Sequence, residues 1–195
     1  FLGLAFPPVN LYYLAFFGFA IYAYIVTSSK TYKEVVKRSF LIFFIWELYT
    51  VSWVPLSGFT KPDYFMVIGG LLILILHPIV YYIPLTLTYF FIAKHLKVKR
   101  YPNLILVFLP IVWVAFEYLQ TTNQVTFPWL TLGYTETYNL EKIQYIEYTG
   151  IYGISAWICS IGVMIFYLLK KVSEKEWKLG SPKALGLAGG IILLY

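Results

Sequence analysis

Charge is what this sequence has least of. Of its 195 residues, 12% are Asp, Glu, Lys or Arg and 60% are hydrophobic, against about 25% charged in an ordinary soluble domain. The mean hydropathy is +0.73, and a water-soluble fold of this length could not hide so much apolar surface. There is one cysteine, Cys159, inside an apolar run. That excludes an intrachain disulfide and leaves the redox compartment unreadable. The two histidines, His77 and His95, have no second His, Cys or carboxylate at ligand spacing, so no metal and no cofactor is expected. The chain starts at Phe1 without a Met or a charged n-region, and no signal peptide is visible. Neither an internal repeat nor a low-complexity tract is present.

What is there is a series of long apolar runs. In lipid only helices and closed barrels satisfy the backbone. A barrel would show segments of about ten residues alternating in hydrophobicity, and these runs are continuous. The expected fold is therefore all-α, a polytopic transmembrane helix bundle of about five complete spans plus two truncated ones. The approximate spans are 1–6 (partial), 11–29, 39–55, 64–93, 103–119, 148–169 and 184–195 (partial). Pro7-Pro8 closes the first, and Asn10 is a candidate cap for the second. The run 64–93 contains Gly69-Gly70, Pro78 and Pro84. It reads as one long, tilted or kinked helix, and Pro110 is a candidate kink in the next span. Both ends read as cut helices, so a piece of a longer protein is expected.

The net charge of +6 does not point to nucleic acid, because the basic residues lie in short loops between spans. Lys30, Lys33, Lys37 and Arg38 occupy one such loop. Lys94, Lys97, Lys99 and Arg100 fill a second, and Lys170, Lys171, Lys175, Lys178 and Lys183 a third. Only Lys61 and Lys142 fall elsewhere. If each run crosses once, the three rich loops share a side, which the positive-inside rule makes cytoplasmic. Loops 30–38, 94–100 and 170–183 are then cytoplasmic, and loops 56–63 and 120–147 extracytoplasmic.

Few residues could carry chemistry. Glu47 and Glu117 are carboxylates inside spans, which are costly there and functional candidates by default. Glu117 sits near the outer end of its helix, just before the longest outward loop. Its alternative role is to bond neighbouring helices or loop amides. Mid-span His77 reads as a helix-packing hydrogen-bond partner, and His95 as solvated. Cys159 has no nearby acid or base to activate it. Most of the aromatic residues, 21% of the chain, fit interface belts and packing. The stretch Thr126-Phe127-Pro128-Trp129-Leu130-Thr131-Leu132-Gly133-Tyr134 differs, with a rigid proline, loop aromatics and a glycine on the outward side. It reads equally as an interfacial anchor or as a wall for a lipid-like substrate.

Three blocks resemble one family. Leu4-Ala5-Phe6-Pro7-Pro8-Val9-Asn10-Leu11 is similar to the LAFPPFDLWPLA opening of bacterial apolipoprotein N-acyltransferases. Trp113-Val114-Ala115-Phe116-Glu117-Tyr118-Leu119, followed by the Phe127-Pro128-Trp129-Leu130 block, resembles their W-x-x-x-E-x-L-R and G-F-P-W-L-x-x-G-Y stretch. Gly150-Ile151-Tyr152-Gly153-Ile154-Ser155 resembles their GVYGVS. There are departures: Gln120 stands where many members carry Arg, Thr126 where Gly is usual, and Ser39–Trp53 carries Glu47 in place of glycines.

The resemblance implies a membrane bundle joined to an extracytoplasmic nitrilase-like domain with a Glu-Lys-Cys triad, expected after residue 195. Such an enzyme moves an acyl chain from a phospholipid, through a cysteine thioester, to the N-terminal diacylglyceryl-cysteine amine of a lipoprotein. It resides in the bacterial cytoplasmic (inner) membrane. The expected partners are the phospholipid donor, the diacylglyceryl lipoprotein acceptor and the bilayer, with no nucleic acid. No catalytic residue is expected within this chain, which alone would be inert. The resemblance assigns substrate positioning to Trp129, loop shape to Phe127 and Pro128, and polar support to Glu117 and Tyr134. Two rivals remain at this point. One is a small transporter or channel with Glu47, Glu117 and His77 along its path; the other is a non-catalytic membrane scaffold.

Overall fold

The computed structural model describes residues 1–60, 63–96, 102–122 and 128–195, and among these all regular structure is helical. The chain opens with a single turn, α1 (Leu2–Ala5), and then α2 (Leu14–Ser28). Asn10 does not cap α2, which starts four residues further on. The amides of Leu14 and Ala15 bond instead to the carbonyls of Leu11 and Tyr12 at 2.9 Å, so a turn of backbone takes the cap's place. At the other end Thr27, Ser28 and Ser29 donate their hydroxyls back to the carbonyls of Ala23 and Ile25, satisfying acceptors a helix end leaves open.

Helix α3 (Tyr32–Val51) begins inside the basic segment 30–38. The reason is local: Thr31 Oγ1 accepts from the Glu34 amide at 3.2 Å, and Glu34 Oε2 accepts from the Lys30 amide at 2.8 Å. These reciprocal bonds resemble a capping box. Glu34 also pairs with Arg38 one turn on, and Arg38 donates to Ser28 Oγ at 2.9 Å. The ends of α2 and α3 are thereby stapled together.

At Ser52 the chain bends into α4 (Trp53–Thr60), which lies against α5 (Tyr64–His77). Asp63 caps α5, accepting from the amides of Phe65 and Met66. A π-helical segment, Pro78–Tyr82, joins α5 to α6 (Ile83–His95) without a break. The join falls where Pro78 and Pro84 remove amide donors from the ladder. The continuous helix Tyr64–His95 has 32 residues, about 48 Å at 1.5 Å each. Its outer face is apolar and open, with Phe65 91% and Ile68 58% exposed. Such a surface belongs against lipid.

A 3-10 turn (Pro102–Val107) leads into α7 (Phe108–Thr121). Helix α8 (Ile146–Ser173) is interrupted at Gly150, whose φ of 63° and ψ of −176° place it outside the helical region. After α8 comes α9 (Pro182–Leu194), capped by Ser181. Three stretches, Tyr64–His95, Asn103–Thr121 and Ile146–Ser173, are long and apolar enough to cross a membrane, and Leu14–Ser28 and Pro182–Leu194 are shorter apolar helices. The molecule is a helical membrane bundle.

The core is aromatic. Tyr82, from the π segment, stacks on Phe43 of α3 with centroids 4.2 Å apart, and lies 5.3 Å from Trp46 and 5.9 Å from Trp113 of α7. Phe19 and Tyr22 of α2 close the box against Trp113 at 5.1 and 5.4 Å. Four elements meet at these rings. Because lipid tails are as apolar as leucine, close packing rather than water exclusion must hold them. Each well-placed aromatic pair adds about 0.5–1.5 kcal/mol beyond its buried area.

Candidate functional site

The site grows from Glu117. Its carboxylate lies in the last turn of α7, 2% exposed. Oε1 accepts two hydrogen bonds, both 2.7 Å long, from Trp113 Nε1 one turn back and from the Leu132 amide fifteen residues on. Leu132 opens a 3-10 turn, Leu132–Glu136, so this carboxylate caps a helical turn in another part of the chain. Ser155 of α8 takes the next amide, accepting from Gly133 N–H at 2.9 Å. Gly133 also lies hard against α8: a Cβ there would come within 2.7 Å of the Ile151 carbonyl oxygen. Only a residue without a side chain fits that approach.

With the turn pinned at Leu132 and Gly133, Leu130 and Leu132 are buried (1% and 0% exposed) while Trp129, at the centre of the turn Pro128–Leu130, stays 53% exposed. Its ring stacks on Trp53 of α4 at 5.5 Å and 24°. Trp129, Trp53 and Tyr134 line a pocket of about 280 Å³ whose other wall is Phe6, Pro7 and Thr50. Residues more than a hundred positions apart thus share one hollow. Phe127 and the side chain of Pro128 lie outside the described residues.

Of the five expected positions, the structure brings Trp129 and Tyr134 to the pocket and sets Glu117 behind them as a support. Trp53, Trp113 and Ser155, not singled out in the sequence as site residues, also contact this arrangement. Trp113 and Ser155 stand inside family-like blocks, which was the available signal. Trp53 carried none, because its meeting with Trp129 is purely tertiary. Glu136 was also missed. It is fully buried, and Oε2 accepts from Asn139 Nδ2 at 2.8 Å. Burial pushes its carboxyl above the usual range, partly opposed by Asn139 and Lys142.

Glu47 and His77 form a separate buried pair, with Oε1 and Nδ1 2.7 Å apart, linking α3 to α5. They pack beside Tyr82 and do not line the Trp129 pocket, although Glu47 is one turn of α3 from Thr50 and Val51, which do. Cys159 is buried in α8.

The structure is thus a helical membrane bundle that holds a half-exposed tryptophan over a small hollow, on a turn fixed from behind. The comparisons with known proteins specify which kind. The chain belongs to the family of the apolipoprotein N-acyltransferase N-terminal domain, whose model matches residues 1–164. It is 24% identical over 197 residues to the apolipoprotein N-acyltransferase of Chlorobaculum tepidum, a match covering all of this chain and 34% of that protein. It is 28% identical over 170 residues to that of Rickettsia prowazekii, covering 87% of this chain and 33% of the relative. A 72-residue stretch, 37% of the chain, is 35% identical to 14% of the Geobacter metallireducens enzyme of the same name. The chain therefore spans about a third of the length of the Chlorobaculum and Rickettsia relatives. No solved structure matches it.

Proposed function

We propose that this chain is the membrane part of an enzyme that transfers an acyl chain from a phospholipid to the N-terminal diacylglyceryl-cysteine amine of a lipoprotein. The observation that carries this reading is the Trp129 pocket, in which two family-like blocks meet and a rigid aromatic face remains accessible. The transfer runs through a cysteine thioester formed on a nucleophile outside these residues. The chain's own thiol, Cys159, is buried in a helix, and an attacking thiol needs an electropositive, partly exposed setting. Alone, the chain is inert. What it supplies is position: both substrates are lipid-anchored, and holding reactants in an attack geometry can account for about 7–11 kcal/mol of a barrier.

Trp129 offers its face to an acyl chain or to the carbons beside a headgroup, and Tyr134 adds a hydroxyl at the same rim. By the family resemblance, Phe127 and Pro128 belong to the same substrate-binding stretch. The protein sits in the bacterial cytoplasmic membrane with the Trp129 end outward and loops 30–38, 94–100 and 170–183 in the cytoplasm. Two features support that arrangement. Lys142, in the stretch read as outward, lies with Nζ 3.3 Å from the Tyr195 ring centroid, and Tyr195 Oη is 3.3 Å from Tyr12 Oη. Lys30, Lys94 and Lys170 gather around a different pocket.

The test is Trp129→Ala in the full-length protein, assayed with a defined phospholipid and a diacylglyceryl lipopeptide. Loss of a stacking anchor of this size is expected to lower kcat/KM by roughly two- to twelvefold, since an aromatic contact is worth about 0.5–1.5 kcal/mol. Unchanged transfer and unchanged substrate affinity would remove Trp129 from the site.

A further inference from the structure

Two tryptophans, not one, wall the hollow of about 280 Å³ beside the Leu132–Glu136 turn. Trp53 and Trp129 stack at 5.5 Å and 24°, and each is 53% exposed. Together they present one aromatic wall. Separate supports hold the two rings. Trp129 rides on the turn pinned by Glu117 and Ser155. Trp53 is the first residue of α4, just past the bend at Ser52. Helix α4 is seated in turn on α5 where Pro55 meets Gly70: a Cβ at Gly70 would come within 2.7 Å of the Pro55 nitrogen. None of the nine described residues that line the hollow is Asp, Glu, Lys, Arg or His, and the stretch 123–127 contains no such residue either. Of the charged groups nearby, Glu47 and Glu136 are fully buried and do not line the hollow. Lys142 is held over the Tyr195 ring. Lys61 comes after Thr60, which ends α4 about 11 Å along the axis from Trp53. Two lining hydroxyls are already engaged, Thr50 Oγ1 donating to the Trp46 carbonyl and Thr137 Oγ1 to that of Tyr134.

We propose that Trp53 is a specificity-determining residue of the transfer: with Trp129 it grips one fatty acyl chain of the phospholipid donor, and so selects the donor by its chain and not by its headgroup. This rests on the reading that Trp129 meets the acyl donor. The volume selects the size of the occupant. Sites that enclose a whole small ligand measure about 300–1,000 Å³, so this hollow takes part of a lipid. The chemistry of the wall selects which part. It offers a phosphate no counter-ion, and burying an unpaired charge costs far more than burying methylenes. Two stacked rings give a chain a broad face for dispersion contact, which is small for each atom pair and large in sum. The donor's reacting carbonyl stands at the head of that chain, so holding the chain orients the atom under attack. The acceptor's reacting amine belongs to its cysteine, apart from its chains, and gains less from the same grip. Trp53 thus decides which donor is used without touching the bond that breaks.

The experiment sets donors in competition in mixed micelles, with the full-length protein and one diacylglyceryl lipopeptide. One pair shares a headgroup and differs in chain, dipalmitoyl against dilauroyl phosphatidylglycerol. The other pair shares palmitoyl chains and differs in headgroup, phosphatidylglycerol against phosphatidylethanolamine. Trp53→Ala is expected to cut the preference for the longer chain by roughly two- to twelvefold, the range of one aromatic contact, and to leave the headgroup ratio where it is. Trp53→Phe restores most of the preference. A merely structural Trp53 would slow both donors together and leave both ratios unchanged, which would overturn the proposal. Trp129→Ala separates the two levels of failure. If it shifts the chain ratio and Trp53→Ala does not, Trp53 has no such role and the Trp129 reading stands. If Trp129→Ala changes neither rate nor ratio, the reading of the site itself falls. A wild-type enzyme indifferent to chain length, a headgroup ratio that moves in Trp53→Ala, or an effect seen only when the acceptor's chains are varied would each overturn the proposal as well. Should Trp53→Ala not fold, Trp53→Leu keeps apolar volume without the flat ring and carries the same test, with a shift in the same direction.

Discussion

A carboxylate inside a membrane bundle needs a reason, and for Glu117 the reason is two amide-type donors that would otherwise be orphaned. Trp113 Nε1–H and the Leu132 N–H both end on Oε1. Glu117→Ala leaves both buried and unmet, at about 1–3 kcal/mol each, and frees the turn that carries Trp129. Glu117→Gln keeps a carbonyl oxygen in place and is expected to be much milder. Thermal unfolding of the purified protein separates the two; equal loss for both variants would mean that the charge, not the acceptor, is what the site uses.

Glu136 makes the opposite argument. It is buried, Oε1 has no hydrogen-bond partner among the described residues, and its carboxyl titrates above the usual range. A group whose folded value lies above its unfolded one binds more protons when folded. Stability then falls as pH rises from the ordinary carboxylate range through the raised value. Tm should decline across that window, and Glu136→Gln should flatten the decline. A decline of equal slope in the variant would assign it to another group.

Among the elements, the turn Leu132–Glu136 depends on α8 for its place. Gly133 touches Ile151 so closely that a Cβ would meet the Ile151 side chain at 2.6 Å. Gly133→Val cannot be accommodated by a side-chain rotation alone, because the Ile151 carbonyl is equally near. The turn must lift, and Trp129 with it. The expected result is a folded protein with intact helix content by circular dichroism but with acyl transfer reduced about as far as in Trp129→Ala. Full activity would show that the turn has slack that the packing does not suggest.

At the scale of the molecule, the alternation of basic and neutral loops predicts orientation. In a Cys159→Ser background, cysteines placed at Lys33 or Lys175 should react with a membrane-impermeant maleimide only after the membrane is opened. A cysteine at Leu140 should react in intact spheroplasts. Labelling of all three from outside would sink the proposed topology.

Composition and pattern made much of this legible. Apolar runs with 12% charge leave only helices in lipid, because no other open structure satisfies its backbone there. The blocks around Phe6, Glu117 and Trp129 carried the family. Helix boundaries followed local bonds that the runs concealed: α3 starts within a basic segment because Thr31 and Glu34 cap it, and α2 starts late because turn carbonyls replace Asn10.

The sequence by itself determined the solvent, the fold class and the family, since each is set by residue type and order along the chain. Only the tertiary structure decided that Glu117 accepts from the Leu132 amide and so caps a turn fifteen residues on. It alone paired Trp129 with Trp53, locked Glu47 to His77, and drew Lys30, Lys94 and Lys170 around one hollow. Those residues stand 15 to 140 positions apart, and spacing along a chain does not encode their meeting until the helices pack.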